Sequence, residues 1–315
     1  MTKITRRVAL AAGAAALMPK RSTAQSAEPV WKTVFPAGFR NERIKTSGAE
    51  INTVNGGSGA PVLLLHGAPQ SLLLWRPIAA DLAKTNTVVM CDLRGYGDSS
   101  KVDDQPNHAQ QSKSAMGHDN VEVMKHLGFD QFALVGHDRG GRVSRRMALD
   151  HPEKVRKLMV MDIVPAHYLY GHVTIEFVQS YFHWFNYLRP APGPENELKT
   201  QNDAQFARAA DPVQKDMLRA MTNILTIHAM CEDYRASASI DLVQDNADQK
   251  AGKKIQCPLH SVWAATGSMG KLYDVLGIWK EEGVKVTGKG LPGTHFLTES
   301  APKETLAEIQ AFLKA

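Results

Sequence analysis

The stretch Phe132-Ala-Leu-Val-Gly136-His137-Asp138-Arg139-Gly140 decides the fold. The apolar run that ends at Gly136 predicts a buried strand, and residues 142–149 predict a helix. A strand, a tight Gly-x-nucleophile-x-Gly turn and a helix form a nucleophile elbow, whose glycines let a strained backbone pass close to the helix. Asp138 occupies its apex. The complete pattern favours a carboxylate nucleophile over an ordinary acidic turn residue, and a carboxylate attacks an alkyl carbon to form an ester on the enzyme.

The pattern around the elbow predicts an α/β fold. Apolar strand runs alternate with helical patterns, and this order is typical of a mostly parallel, doubly wound sheet. The predicted strands are a hairpin over 43–54 that turns at Ser47-Gly48, and the runs 62–65, 88–92, 132–136, 157–162, 262–264 and 284–286, with helices over 114–127 and 304–313. Between about residues 165 and 250 the strand runs vanish and aromatic residues cluster. We therefore expect a core in two parts, 30–164 and 251–315, and an inserted helical cap over 165–250 that shields the elbow from water.

The first residues predict an export signal over 1–26. Paired arginines, Arg6 and Arg7, precede an apolar alanine-rich run over 8–18 and small residues over 22–27. This order is typical of a twin-arginine signal, and it predicts a periplasmic or secreted protein. An amphipathic N-terminal helix is the alternative, but the alanine run has no polar face.

The signal also explains the basic charge. Five of the 37 basic residues and none of the 32 acidic residues precede the expected cleavage region, so the mature chain is near neutral. The overall net charge of +5 is therefore no indication of a nucleic-acid or membrane-surface partner. No apolar run is long enough to span a bilayer as a mature segment.

Cysteine usage indicates neither a disulfide framework nor a metal site. The chain has three cysteines, Cys91, Cys231 and Cys257, without close spacing. Whether Cys231 and Cys257 pair is left open by the sequence. No cluster of ligand residues has the spacing of a metal site, so no cofactor or metal is expected.

An aspartyl ester must be hydrolysed, and this step needs a general base with a pKa near neutrality. His295 is the candidate, because it lies on the glycine-marked loop Pro292-Gly-Thr-His295 after the last strand run. Asp162, at the end of the strand that follows the elbow, is the candidate partner of the histidine, and Asp274 is the second choice. The resulting order of nucleophile, acid and histidine is typical of this architecture.

Two backbone N–H groups are candidates to stabilise the ester oxyanion. One belongs to Arg139, directly after the nucleophile, and the other to Ala68 in the His66-Gly-Ala-Pro69 loop after an earlier strand. We expect His66 itself to be structural.

Arginines around the elbow predict an anionic substrate. Arg139 follows the nucleophile, and Arg142 lies one helical turn on from Asp138. Two guanidinium groups at a closed pocket bind a substrate carboxylate through forked hydrogen bonds and hold the pKa of Asp138 low. We expect Arg145 and Arg146 to include a solvated face and assign them no role.

Several motifs resemble those of the haloacetate (fluoroacetate) dehalogenases of the α/β-hydrolase superfamily. The resemblance covers residues 35–315, and its motifs are Gly136-His-Asp-Arg-Gly-Gly-Arg-Val143, Asp162-Ile-Val-Pro165, His183-Trp184 followed by Pro190-Ala-Pro192, Met230-Cys-Glu-Asp-Tyr-Arg-Ala236 and Gly293-Thr-His-Phe296.

The resemblance implies a role for each matching residue. Asp138 displaces halide from the α-carbon, and His295, backed by Asp162, activates water. Arg139 and Arg142 hold the acetate carboxylate. His183 and the indole N–H of Trp184 donate to the leaving halide; without the resemblance, ordinary packing is the preferred interpretation of these two residues.

One position departs from the family pattern. Counting back from Met230-Cys-Glu-Asp, the tyrosine on the halide side of the family falls on Met217. A thioether donates no hydrogen bond, and fluoride depends most on such donors, so the departure puts activity on fluoride in doubt. Tyr187 is the candidate replacement.

Three functions remain after these arguments. The first is hydrolytic dehalogenation of short 2-haloacids to 2-hydroxyacids, with a small anionic haloacid and water as the partners. The second is an epoxide hydrolase, in which tyrosines among Tyr168, Tyr170, Tyr181 and Tyr187 protonate the epoxide oxygen; neutral epoxides would leave the arginines without a partner. The third is a non-catalytic periplasmic binder of small carboxylates. A homodimer is the assembly considered, but the sequence does not reveal the oligomeric state.

Overall fold

The computed structural model describes residues 28–315, so the export signal predicted over 1–26 lies outside it. The described residues form an eight-stranded sheet in the order β1-β2-β4-β3-β5-β6-β7-β8. Its strands are β1 (Arg40–Lys45), β2 (Glu50–Gly57), β3 (Ala60–Leu65), β4 (Asn86–Cys91), β5 (Phe132–His137), β6 (Val155–Met161), β7 (Leu259–Ala264) and β8 (Val286–Leu291). Strands β3 to β8 pair in parallel, whereas β2 pairs antiparallel with both β1 and β4. The predicted α/β fold is confirmed.

Helices cover both faces of the sheet. Successive residues of β3 alternate between the two resulting cores, since Leu63 and Leu65 face one and Val62 and Leu64 face the other. The helices outside residues 166–250 are α1 (Val30–Val34), α2 (Arg76–Leu82), α3 (Lys113–His126), α4 (Asp138–Asp150), α12 (Ser268–Leu272), α13 (Val275–Lys280), α14 (Leu297–Ser300) and α15 (Pro302–Lys314), with short 3-10 helices at Leu72–Trp75 and Pro106–Gln111.

The last strand lies later than its sequence run. We expected a strand over 284–286, but β8 runs from Val286 to Leu291 and contains Gly288 and Gly290. It is an edge strand whose side chains are mostly half-buried or exposed. An edge strand does not need the continuous apolar run of a strand that is buried on both faces, which is why the apolar pattern misplaced it.

Between β6 and β7 the chain forms seven helices, which we call the helical insertion. They are α5 (Ala166–Gly171), α6 (Ile175–Ser180), α7 (Phe182–Asn186), α8 (Gly193–Arg208), α9 (Pro212–Met221), α10 (Ile224–Ser237) and α11 (Ile240–Lys250). Within residues 28–315 no helix is both long enough and apolar enough to cross a membrane.

Buried ion pairs join the insertion to α4. The Arg145 guanidinium donates to Asp245 of α11 at 2.7 Å and to Glu282 at 2.7 Å. Arg146 donates to Asp248 of α11 at 2.5 Å. Both arginines are almost fully buried. The expectation of a solvated face at these arginines was wrong, because α11 lies over them and supplies the opposite charges.

Candidate active site

The elbow places Asp138 at the junction of β5 and α4. Its backbone has φ of 47°, a left-handed conformation that non-glycine residues rarely adopt. The helix α4 at Gly136 and the end of β3 at Gly140 leave no room for larger residues at the flanking glycines. A Cβ on Gly136 would lie 2.3 Å from Ser144 Oγ, and one on Gly140 would lie 2.3 Å from the Leu65 carbonyl oxygen. The tight packing therefore requires glycine on both sides of Asp138.

Asp138, His295 and Asp162 meet at the carboxyl edge of the sheet. The Nδ1 atom of His295 lies 2.5 Å from Asp162 Oδ2, and its Nε2 atom lies 3.9 Å from Asp138 Oδ2. Asp162 follows β6 with φ of 53°, and its Oδ1 accepts from the Ala264 N–H at 2.8 Å. The Asp162 carboxylate thus holds the proton on Nδ1 and leaves the Nε2 lone pair on the side of Asp138.

Asp274 lies in a different environment. Its Oδ1 accepts from the Gly277 N–H at 3.0 Å, where it caps the N-terminus of α13. Asp162 and not Asp274 is therefore the carboxylate on the His295 ring, so the second choice made from the sequence is dropped.

His137, the residue before the nucleophile, also supports the base, and the sequence analysis missed it. Its Nε2 lies 2.8 Å from the His295 carbonyl oxygen, and the two imidazole centroids are 4.7 Å apart. Burial, with the charge of His295, lowers the pKa of His137 to about 4, so its ring is neutral and Nε2–H donates. The partners are 158 positions apart, and no local pattern signals the contact.

The charges of Asp138 and His295 reinforce each other. Burial alone would raise the pKa of Asp138, but His295 and the neighbouring guanidinium groups lower it to about 2. Burial would lower the pKa of His295, but the hydrogen bond to Asp162 and the charge of Asp138 raise it above its ordinary value. Asp138 is therefore ionised throughout the neutral range without the help of a base.

The loop after β3 holds one oxygen of the nucleophile. The Ala68 N–H donates to Asp138 Oδ1 at 3.0 Å, so it already contacts the oxygen that would become the ester carbonyl. The Arg139 N–H, the second predicted donor, makes no hydrogen bond to this carboxylate in the structure. His66 is fully buried and braces the loop. Its Nε2 accepts from the Leu93 N–H at 3.0 Å while Nδ1 donates to the Gly67 carbonyl at 2.7 Å.

The two predicted carboxylate ligands lie beside the nucleophile but do not line the cavity above it. The Arg139 guanidinium is 4.2 Å from the Tyr234 ring centroid, and the Arg142 guanidinium is 4.6 Å from that of Trp184. Arg142 donates to the Val164 carbonyl at 2.9 Å. Among the described residues, Arg139 Nη1 and Arg142 Nε have no hydrogen-bond partner. Their role in substrate binding stays a prediction.

Asp233 of α10 fixes the position of Arg139, and the sequence analysis assigned it no role. Its carboxylate accepts from Arg139 Nε at 3.0 Å and Nη2 at 2.5 Å, from the Tyr96 hydroxyl at 2.7 Å and from the Lys113 ammonium. Burial raises the pKa of Asp233, but Arg139 and Lys113 outweigh burial and hold it well below its usual range. Arg139 therefore depends on an acid that lies 94 positions away in sequence.

Above the elbow lies a cavity of about 380 Å³. Asp138, His295 and Ala68 form part of its wall, and α7 contributes His183 and Trp184. Three tyrosines also line it, namely Tyr181, Tyr187 and Tyr234. Burial lowers the pKa of His183, so its imidazole is neutral, and burial raises the pKa of Tyr187 to about 12, so its hydroxyl keeps its proton. The cavity therefore contains several neutral hydrogen-bond donors.

Met217 does not line this cavity. It packs against the core that contains Val62 and Leu64, whereas Met221, one turn later, belongs to the other core and lines the cavity. Tyr187 lies at the cavity, as a replacement donor must, whereas Tyr168 and Tyr170 do not line it. Met217 therefore does not occupy a position on the halide side of the nucleophile.

The cysteines carry no site in the described structure. Cys91, Cys231 and Cys257 are all free, so Cys231 and Cys257 do not pair. Residues 28–315 contain no group of histidine, cysteine or acidic side chains arranged to hold a metal ion.

Comparison with known proteins assigns the family. A model of the α/β-hydrolase fold matches residues 60–282. The chain belongs to the α/β-hydrolase family. A fluoroacetate dehalogenase from Burkholderia sp is 38% identical to this α/β hydrolase over 288 residues, which cover 88% of this chain and 94% of that protein. The resemblance predicted from the motifs is confirmed.

Solved structures of the family extend the comparison. A protein from Nostoc sp PCC 7120, provisionally named an α/β hydrolase, superposes with a TM-score of 0.84 at 44% identity and covers 87% of this chain and 98% of its own. One from Pseudomonas aeruginosa, provisionally named an epoxide hydrolase, has a TM-score of 0.80 at 37% identity and covers 88% and 96%. The similar proteins thus include both a dehalogenase and a provisionally named epoxide hydrolase.

Proposed function

We propose that this α/β hydrolase releases halide from 2-haloacids and yields 2-hydroxyacids through an ester on Asp138. The observation that carries the proposal is an ionised carboxylate held between a backbone donor, Ala68 N–H, and the His295–Asp162 pair. The similarity to a fluoroacetate dehalogenase over 88% of the chain supports the same reaction.

In the first step the Asp138 carboxylate attacks the α-carbon. A bond forms between a carboxylate oxygen and that carbon, the carbon–halogen bond breaks, and halide leaves with the electron pair. The carbon inverts its configuration. The low pKa of Asp138 keeps the nucleophile ionised, so no proton has to be removed before the attack.

In the second step water attacks the ester carbonyl. His295 Nε2 takes a proton from the water, and Asp162 stabilises the resulting imidazolium. The hydroxide adds to Cγ of Asp138, and the Ala68 N–H donates to the oxyanion. The intermediate collapses to the Asp138 carboxylate and the 2-hydroxyacid, whose alkoxide receives the proton from His295. One carboxylate oxygen of Asp138 now derives from water.

The two arginines are the proposed carboxylate ligands. Arg139 Nη1 and Arg142 Nε are buried donors without partners among the described residues, and a substrate carboxylate would satisfy them. The Trp184 and Tyr234 rings separate these groups from the cavity, so we propose that these rings shift when substrate binds. The neutral donors His183, Trp184 and Tyr187 are the proposed ligands of the departing halide.

The experiment follows both halide and oxygen. Purified enzyme is given chloroacetate and fluoroacetate, halide release is measured, and a single turnover in ¹⁸O-labelled water is analysed by peptide mass spectrometry. We expect label in the peptide that contains Asp138, and at least a thousandfold loss of turnover in Asp138→Asn. Asp274→Asn removes an aspartate that caps α13 instead of bonding to the His295 ring, and it should leave turnover unchanged. Absence of halide release from both haloacetates would refute the proposal.

Epoxide hydrolysis is the second candidate. The observation that favours it is the pair of tyrosines Tyr181 and Tyr187, whose protonated hydroxyls line the cavity and would donate to an epoxide oxygen. Formation of a diol from styrene oxide, abolished in the Tyr181→Phe, Tyr187→Phe double variant, would support it. A neutral epoxide leaves the buried arginine donors unsatisfied, which favours haloacids.

A further inference from the structure

The cavity is larger than a haloacetate requires. Its volume of about 380 Å³ is that of roughly a dozen molecules of liquid water. Since each water has one non-hydrogen atom, the cavity has room for a ligand of roughly a dozen non-hydrogen atoms. A haloacetate consists of an acetate and one halogen, which is less than half of that size. A bound haloacetate would therefore leave most of the cavity to water.

The wall that α8, α9 and α10 contribute to the cavity contains an apolar patch. Three helices of the insertion each place one apolar side chain there: Leu198 from α8, Met221 from α9 and Met230 from α10. Met221 and Met230 are almost completely buried, and Leu198 is half-buried against the same core. Methionine side chains adapt their shape to different apolar groups, so this wall suits a hydrocarbon of variable form.

The polar side chains that these three helices add to the cavity wall are uncharged: the amides of Gln201, Asn202 and Gln205 on α8 and the hydroxyl of Tyr234 on α10. Asn202 is buried and donates to the Met221 carbonyl at 3.0 Å. Gln201 and Gln205 lie one turn apart on α8, they line the cavity and they are exposed to solvent. No charged side chain of α8, α9 or α10 lines the cavity. A second carboxylate or an ammonium group on the substrate would find no opposite charge there, whereas an apolar tail would bury its surface against the two methionines.

We propose that the preferred substrates are 2-haloacids with an apolar substituent on the α-carbon, of the size of a butyl chain or a phenyl ring. This proposal rests on the proposed dehalogenation. The α-carbon lies at Asp138 and the tail extends along Leu198, Met221 and Met230. The chemistry at Asp138 is unchanged, and the products are halide and the corresponding 2-hydroxyacid.

Binding of unreactive carboxylates tests the apolar wall independently of turnover. Hexanoate and acetate differ only in the tail, and calorimetric titration gives both dissociation constants. Each methylene group that leaves water strengthens binding roughly fourfold, so we expect hexanoate to bind at least about tenfold more tightly than acetate. Equal affinities, or no binding of hexanoate, would overturn the proposal.

A pair of variants on one helix locates the tail. Met221→Phe fills the cavity, whereas Met217→Phe places the same side chain one turn earlier on α9, outside the cavity. We expect Met221→Phe to lose most of the preference for hexanoate and Met217→Phe to keep it. Leu198→Phe, at a half-buried site on α8, repeats the test if Met221→Phe does not fold, as judged by thermal unfolding. An unchanged preference in the folded cavity variants would overturn the proposal.

Turnover separates this proposal from the one on which it rests. Halide release is measured with bromoacetate and 2-bromohexanoate. We expect kcat/KM to be at least tenfold higher for 2-bromohexanoate in the parent enzyme, and this ratio to fall in Met221→Phe but not in Met217→Phe. Release from bromoacetate together with little release from 2-bromohexanoate would overturn the substrate class and leave dehalogenation intact. No release from either compound would refute dehalogenation, and the affinities of hexanoate and acetate would still decide whether the wall binds a tail.

Discussion

The charge of Asp138 determines how basic His295 is, and this charge changes during the proposed reaction. In the free enzyme the Asp138 carboxylate helps to raise the pKa of His295 above its ordinary value. In the ester, Asp138 is neutral and this contribution disappears, while the hydrogen bond to Asp162 remains. The pKa of His295 should therefore fall when the ester forms. The base then releases its proton at the stage where a neutral imidazole is needed.

This coupling predicts different pH dependences for the two steps. Displacement of halide needs only ionised Asp138, whose pKa is about 2. Protonation of this nucleophile should therefore not reduce kcat/KM at any pH above about 4. Ester hydrolysis needs neutral His295, so its rate should fall about tenfold per pH unit below the pKa of His295 in the ester. Rapid-quench measurement of ester decay gives that value, and NMR titration of His295 gives the value in the free enzyme. Ester decay that is as fast in a His295→Ala variant as in the parent enzyme would contradict the role of His295 as the base.

The catalytic residues could be predicted because each follows a strand. Asp138 and Asp162 come directly after strands, His295 lies on the glycine-marked loop after the last strand, and the carboxyl ends of parallel strands meet at one edge of the sheet. Asp233 had no such signal. It lies in the middle of α10, and its partners Arg139, Tyr96 and Lys113 come from other parts of the chain. Only the tertiary structure shows that Arg139 is held by an acid.

At the scale of elements, the interface between α4 and α11 shows why charge alone is a poor guide to exposure. The charged sequence of α4 suggested solvent around Arg145 and Arg146. The missed signal lies on α11, where Asp241, Asp245 and Asp248 are spaced so that they share one face. This acidic face covers the arginines and Lys113.

Asp245→Asn should weaken this interface. Burial raises the pKa of Asp245, but Arg145 outweighs it and lowers the pKa to about 2. A depressed pKa means that the carboxylate stabilises the folded state above its unfolded pKa near 4, and that this contribution is lost as the pH falls towards 2. We expect Asp245→Asn to reduce the free energy of unfolding by about 2 kcal/mol at pH 7, and the difference from the parent enzyme to shrink below pH 4.

Urea unfolding at several pH values measures this effect. The matched control is Asp203→Asn, which removes an exposed ion pair with Lys199 on α8 of the same insertion and should change the free energy of unfolding by less than about 0.5 kcal/mol. Equal effects of the two substitutions at pH 7 would show that the α4–α11 ion pairs do not stabilise the fold.

At the scale of the whole molecule, the fold followed from the sequence because its strands are buried and its elbow is sharply patterned. The extent of the cavity did not, because its wall is assembled from α7, α8, α9 and α10, and Met221 lines it whereas Met217, one turn earlier on α9, does not. Residues on one helix differ in function according to which neighbour they face, and sequence spacing alone does not give that neighbour.

We also propose that the whole molecule is exported in a folded state. Support comes from the paired Arg6 and Arg7, the apolar run over 8–18, and the near-neutral charge of the remaining chain. The free thiols of Cys91, Cys231 and Cys257 suit a protein that folds before it meets an oxidising compartment.

We expect the protein, expressed in a bacterium with the twin-arginine route, to lie in the periplasm with an N-terminus between about residues 24 and 28. Replacing Arg6 and Arg7 together by lysine should retain it in the cytoplasm, whereas Arg21→Lys, outside the pair, should not. Full-length protein in the cytoplasm of cells that carry the parent sequence would contradict export. The proposed enzymatic activity does not depend on that outcome, because the site lies entirely within residues 68–296.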